Sequence, residues 1–383
     1  MKAKKRKLVT STPPPPPPLT TISSLPDDIV ADILLRLPSA ASIARALFAS
    51  KHWWRVACSP TFFRRLRAVH AYPLLLGHFA AQASSPLPLF HPARLHSDSV
   101  LAAMVRRGDF FLTRLQVFGR CTLEDSRDGL LLFSSRTKLI VFDPVGHHTV
   151  PIRRPPRRSF PYHGYAAHTF CFFPDITTGG AEAECFRVVS LQHRRQSVRA
   201  EVFDYGTRSW TIHPGTALRP ARSHGNQLFP AMHAAGRIYW KYRTEPILLA
   251  LDAKTMRFLY VRTPPGVTSR SPYAVGERDD GACCLVHVAH GAPDGCPRLQ
   301  VWLHCVVGGN EVEPWVLVRD EPLRLRSALR GRVRQVRAVA GGVVLLCFTG
   351  SSAHLPHVAF RLKNLKVEAE FTCRGSARPY LLQ

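Results

Sequence analysis

Acidic side chains are scarce in this 383-residue chain: 26 Asp and Glu stand against 52 Lys and Arg, for a formal net charge of +26. So few carboxylates leave little from which to build the paired acids of glycoside hydrolysis, and no position singles out a pair. Long apolar runs are missing too. No stretch of about 18 apolar residues occurs, so no transmembrane helix is expected, and the N-terminus lacks the apolar core of a secretory signal. No Gly-x-Ser-x-Gly elbow is present. Gly308-Gly309-Asn310 lacks the Lys-Ser/Thr of a phosphate-binding loop and reads as a turn between strands.

The ten cysteines show no framework spacing, which suggests reduced, buried thiols of the cytosol or nucleus. Cys283 and Cys284 are neighbours and would point to opposite faces of a strand. His287, His290, Cys296, His304 and Cys305 fall close together, but without the paired short spacings that zinc requires. His163 and His168 flank a loop and read as structural. The expectation is therefore no metal, no cofactor and no catalytic residue.

The positive charge would ordinarily point to nucleic acid or an anionic surface. Here arginine far outnumbers lysine and is spread along the chain with abundant Ala, Gly and Pro, as a GC-rich coding sequence produces. No basic stripe interleaves with aromatics in the manner of single-strand binding. A basic nuclear protein bound to nucleic acid or chromatin is the alternative reading, and no membrane partner is expected. Residues 1–20 form a separable tail. Lys4, Lys5, Arg6 and Lys7 resemble a nuclear-import signal, and Pro13 to Pro18 should form a stiff, solvated polyproline segment. The expected compartment is nucleus, cytoplasm or both.

Residues 21–66 read as a small helical module. Leu25-Pro26 precedes Asp27 and Asp28; proline is tolerated at a helix start, and the macrodipole favours carboxylates in the first turn. Val30, Ile33, Leu34 and Leu37 then recur at helical spacing, and Leu37-Pro38 ends the helix. Ser39 can cap a second helix carrying Ile43, Leu47 and Phe48, and a third carries Trp53, Trp54 and Val56. Ser59-Pro60 opens a fourth segment. So small a module buries little on its own; either it packs on the rest of the chain or a partner completes it.

The stretch LPDDIVADILLRLPSAASIARALFASKHWWRVACSPTFFRRL resembles an F-box. The matching positions are Leu25-Pro26, Asp27-Asp28, Ile29 to Leu37, Pro38, Trp54-Arg55, and Ser59-Pro60 with Phe62 and Phe63; Ala49-Ser50-Lys51 departs from the common pattern. The resemblance implies docking to a Skp-type adaptor, and through it to a cullin ubiquitin ligase. It places Leu25, Pro26, Ile29, Ile33, Leu34, Leu37, Pro38, Ile43, Leu47 and Trp54 on the adaptor-binding surface.

Residues 67–99, broken by Pro73, Pro86, Pro88 and Pro92, read as a linker. Residues 100–383 show apolar runs of four to eight residues alternating with Gly, Pro, Asp and Arg turns, the all-β signature. Five units recur at roughly 50-residue spacing. Each opens with a small-residue turn and an apolar strand: LLLF then LIVFDP, CFRVVS then AEVFDYGTRSW, RIYW then ILLALD and RFLYV, ACCLVHV then LQVWLHC, and VVLLCF then HVAFRL. Asp143, Asp204 and Asp252 close middle strands and can accept hydrogen bonds from the following turn.

The fold expected is thus α+β and multidomain: a helical module followed by a kelch-like β-propeller of five or six blades. The tandem resembles plant F-box proteins with a C-terminal propeller-like associated domain. That resemblance implies a non-catalytic subunit of an SCF-type ligase whose β domain recruits a protein target. Loops offer Arg153, Arg154, Arg157, Arg158, Tyr162, Arg243 and Arg270 as candidate target contacts, or as ordinary solvated arginines.

Overall fold

A computed structural model describes residues 25–37, 40–57, 62, 65, 74–81, 85–93, 105–106, 108–115, 119–155, 167–173, 186–193, 197–217, 228–291, 295–304, 315–324, 332–350, 354–373 and 377–382. Lys4, Lys5, Arg6, Lys7, Pro38, Arg157, Arg158, Tyr162, His163 and Cys305 lie outside them.

The first helix, α1 (Asp27–Leu35), starts where the sequence places it, with Pro26 at its N-cap in an extended conformation and Asp27 and Asp28 in the first turn. The helices α2 (Ala40–Ala49) and α3 (Lys51–Ala57) follow. Val30, Leu34, Leu35, Ile43, Val56, Ala57 and Phe62 form one buried cluster. Arg65 pairs with Asp32, and His52 Nε2 lies 2.6 Å from Asp27 Oδ1, clamping the start of α1 to the later helices.

The β region is a ring of six sheets. Five have four antiparallel strands in sequence order. Blade one is β3 (Thr122–Arg127), β4 (Leu130–Ser134), β5 (Lys138–Asp143) and β6 (His148–Arg153). Blade two is β7 (Ala167–Phe172), β8 (Arg187–His193), β9 (Ser197–Asp204) and β10 (Ser209–Ala217). Blade three is β11 (Met232–Ala234), β12 (Arg237–Lys241), β13 (Ile247–Asp252) and β14 (Phe258–Arg262). Blade four is β15 (Tyr273–Glu277), β16 (Cys283–Ala289), β17 (Arg298–His304) and β18 (Trp315–Pro322). Blade five is β19 (Val333–Ala340), β20 (Val343–Phe348), β21 (Leu355–Arg361) and β22 (Val367–Cys373).

The sixth blade corrects the expected domain boundary. Residues 67–99 supply β1 (Leu74–Ala80) and β2 (Leu89–Pro92), and β1 pairs on its other edge with β23 (Ala377–Leu382). The ring therefore begins before residue 100, closed by two strands from opposite ends of the chain. The pairing is invisible locally because its partners lie some three hundred residues apart. Tyr380 Oη donates to the carbonyl of Gly129 at 2.9 Å, tying the closing blade to blade one.

The middle strands are apolar on both faces because each face feeds a different core. Leu249 and Leu251 of β13 pack towards blade two, whereas Leu248 and Ala250 pack towards blade four. Cys283 and Cys284 divide the same way, as their adjacency requires. The turns follow from sequence. Asp128-Gly129, Ala235-Gly236 and Gly341-Gly342 all have positive φ, the two-residue hairpin geometry that joins an innermost strand to the next. Asp143 accepts from the backbone N–H of Val145 and Gly146, Asp204 from Thr207, and Asp252 from Lys254 and Thr255.

The innermost strands of blades four and five pack tightly at Gly276. A Cβ there would fall on the Val339 carbonyl oxygen and lie 2.5 Å from the Val339 Cβ. Both strands are held in register by their own sheets, so the overlap cannot relax cheaply. Gly276→Ala is expected to cost about 2–3 kcal/mol, read as a lower urea midpoint at unchanged m-value.

Candidate functional site

Two regions carry candidate function: the outer face of α1 and the central channel.

On α1 the buried stripe is Val30, Ala31, Leu34 and Leu35. A second apolar stripe, Leu25, Ile29, Ile33 and Leu37, recurs every fourth residue and so shares one face. Ile29 is 42% exposed, Pro26 is exposed, and Leu25, Ile33 and Leu37 are half-buried. Leu25 and Leu37 lean on the module's core, which leaves Ile29 as the exposed apolar residue of the stripe, with half-buried Ile33 one turn away. Of the other residues assigned to this surface, Leu34 and Ile43 are fully inside the module, where they hold the helices together. Trp54 packs both on the module's core and on the cluster formed by the closing blade and blade one. It joins the two parts of the chain. The Leu47 side chain lies outside the described residues.

The channel is bounded by innermost strands. A cavity of about 90 Å³ is lined by Asp125, Arg127 and Asp128 of blade one, His233 of blade three, Glu277 of blade four, Arg337 of blade five and Arg378 of the closing blade, among others. Asp125 is its hub. The carboxylate is 5% exposed and accepts at Oδ2 from the Phe172 backbone N–H and from His233 Nε2, both at 2.9 Å. At Oδ1 it accepts from the Ser126 N–H at 2.9 Å, with Arg378 at 3.7 Å. Burial alone would raise its pKa, but His233, Arg378 and the Phe172 N–H outweigh it and hold the carboxyl at about 2. One ionised side chain thus links four blades. Cys171, fully buried beside it on β7, has its thiol pushed well up by burial.

The sequence did not single out Asp125, Cys171 or His233. Their signal is faint: each lies on the innermost strand of its blade, and in blades one and three a short polar or mixed strand precedes the glycine turn.

Of the His/Cys group at 287–305, the described members His287, His290, Cys296 and His304 do not converge. His287 Nδ1 bonds Gln300 Oε1 at 3.0 Å, His290 Nε2 donates to the Val333 carbonyl at 3.0 Å, and His304 packs against Trp315. The described loop arginines are partly engaged within the propeller: Arg153 and Arg154 bridge blades one and two, and Arg243 stays within blade three. Arg154 lies over Phe170 and bonds the Ser135 carbonyl, the Arg153 carbonyl accepts from Trp210, Arg243 lies over Phe229, and Arg270 is exposed.

Residues 122–335 match the family described as F-box protein AT5G49610-like, beta-propeller. The chain is 31% identical over 134 residues to the F-box protein At1g48060 of Arabidopsis thaliana, covering 34% of this chain and 36% of that protein. It therefore spans about a third of the length of this curated relative. Among solved structures, a putative 6-phosphogluconolactonase from Bacteroides uniformis aligns at 8% identity with a TM-score of 0.40, over 80% of this chain and 99% of that one. Another from Bacteroides fragilis aligns at 9% identity with a TM-score of 0.36, over 68% and 72%. With more than half its length matched and its six blades in place, the chain is a member of the AT5G49610-like family of plant F-box proteins carrying a β-propeller.

Proposed function

We propose that this protein is a non-catalytic, substrate-recognition subunit of an SCF-type ubiquitin ligase. Its helical module docks a Skp-type adaptor, and through it a cullin, while the propeller presents a protein target. The observation that carries this reading is the second apolar stripe of α1. A helix buried on Val30, Leu34 and Leu35 leaves Ile29 exposed on its outer face among the described residues, with half-buried Ile33 one turn away. An uncovered apolar stripe on a preformed helix is the element a partner groove receives. Contact of Trp54 with both parts of the chain supports transmission of a fixed geometry from adaptor to propeller. Catalysis would belong to a separate conjugating enzyme, with this chain raising the local concentration of target. Nucleus and cytoplasm are the compartments proposed, the former through Lys4, Lys5, Arg6 and Lys7.

The test is co-expression of the full chain with a plant Skp-type adaptor followed by affinity capture. Ile29→Asp buries a charge in the proposed contact and is expected to lower capture by at least about 100-fold. Because Ile29 is exposed in the free chain, the variant should melt as wild type does. Undiminished capture by a folded Ile29→Asp protein would remove the interface. Failure of wild type to retain any adaptor would remove the ligase reading.

A further inference from the structure

We propose that the channel wall holds a zinc ion, bound by Asp125, Cys171 and His233. The three residues come from the innermost strands of three consecutive blades, β3, β7 and β11, and one ligand atom of each lies within 4.8 Å of the other two. Among the described residues this is the one group of His, Cys, Asp and Glu side chains that converges in this way.

The donor set suits zinc. A thiolate and an imidazole select a borderline-soft ion over magnesium or calcium, and a carboxylate completes a mixed set. Carboxylate and thiolate together neutralise the charge of Zn²⁺, so a buried site gains no net charge. On binding, the Cys171 thiol proton passes to solvent, His233 keeps a single ring proton on Nδ1 so that Nε2 coordinates as a neutral imidazole, and three metal–ligand bonds replace the hydrogen bond to Asp125. Tetrahedral zinc with bonds of about 2.0–2.3 Å places its ligand atoms roughly 3.3–3.8 Å apart. His233 Nε2 and Asp125 Oδ2, at 2.9 Å, are already near that separation. The sulfur must move by about an ångström to match, within reach of a side-chain rotation.

Two further features fit. Asp125 is held from behind: Oδ1 accepts the Ser126 N–H, and Arg378 stands 3.7 Å from the same oxygen. Such outer partners orient a ligating carboxylate. Asp125 and His233 also line the channel cavity of about 90 Å³, which leaves space for a water as fourth ligand. Cys171 is buried and forms no disulfide, so its sulfur is not covalently committed. A metal here would fasten blades one, two and three from the inside.

The experiment is metal analysis of the purified full chain after equilibration with zinc and dialysis against chelator-free buffer. Close to one zinc per chain is expected for wild type. Cys171→Ser and His233→Ala should each lose it, whereas Cys284→Ser, which alters a buried thiol elsewhere, should retain it. Cobalt-loaded wild type should show the near-ultraviolet thiolate-to-cobalt band, absent from Cys171→Ser. A wild type without zinc after loading, or a Cys171→Ser protein that keeps its full complement, overturns the site. Should the variants fail to fold, the cobalt spectrum of wild type decides: tetrahedral cobalt with no thiolate band also overturns it.

Discussion

Ending the chain at residue 376 is expected to abolish cooperative folding of the propeller. The strand removed, β23, is the innermost strand of the closing blade, and β1 pairs with it from Leu74↔Leu382 to Ala80↔Ala377. Without it β1 keeps only β2, and a two-stranded remnant is marginal in water. Tyr380 is lost with the strand. Its ring is fully buried, meets Phe79, Phe90 and Phe110 edge-on, and its hydroxyl reaches Gly129. Deleting one large buried aromatic side chain costs about 3–5 kcal/mol, and whole-domain stability is about 5–15 kcal/mol. Loss of the side chain, the strand pairing and ring closure together exceeds that margin. The expected result is a protein that elutes as aggregate and shows no sigmoidal melt. A synthetic peptide of residues 377–383 added in excess should restore part of the transition. Tyr380→Phe separates the terms, since it removes only the hydroxyl and should cost about 1 kcal/mol. A truncated chain that melts cooperatively at the wild-type temperature would show that the ring does not depend on this closure.

Acidification from pH 6.5 towards pH 4 is expected to destabilise the protein steeply. Burial depresses the pKa of His193, His304 and His357 to about 4. His78 falls to about 2, chiefly by burial and further by the neighbouring His91 and His357. A base whose folded pKa lies below its unfolded value binds protons preferentially when unfolded. Stability is therefore complete above about pH 6.5 and is lost as pH falls towards the folded value. Each histidine contributes at most about 1.4 kcal/mol per pH unit across that window. Asp125 acts lower on the scale: with its carboxyl held at about 2, its contribution is lost only below about pH 4. Urea titrations at successive pH values would measure the slope. His304 is the cleanest probe, because it packs on Trp315 and both its ring nitrogens are buried without a hydrogen bond. His304→Phe should flatten part of the slope and leave stability at pH 7 equal or higher. A urea midpoint constant between pH 6.5 and pH 4.5 would contradict the assignment.

The middle strands were legible in the sequence for a definite reason. ILLALD, LIVF and VVLLCF are apolar on both faces because each lies between two cores, and few other soluble elements need such runs. Asp143, Asp204 and Asp252 could be read as turn formers because their bonds are local. The innermost strands were missed. TLEDSR, MHA and YAVGE border the channel, so their polar or small residues break the pattern that marks a strand. The closing blade was missed because its register is set between chain ends, and β1 alone reads as a short apolar piece among prolines. On α1 the apolar spacing announced a helix, but it could not say which stripe faces inward; only packing separates Leu34 from Ile29. The Asp125, Cys171 and His233 cluster escaped for a related reason. Its members stand about a blade apart in sequence, far outside the short spacings by which metal ligands are recognised.

Synthesis on the ribosome gives the two-ended blade a further meaning. β1 leaves the exit tunnel first, and its partner β23 follows some three hundred residues later. At about 5–20 residues per second, the roughly 300 residues between them take on the order of 15–60 s to translate. Throughout that interval the apolar strand LLLGHFA has an open edge and five finished blades cannot close upon it. The nascent protein therefore exposes the β1 edge until β23 emerges, and emergence of β23, not of any earlier blade, times closure of the ring.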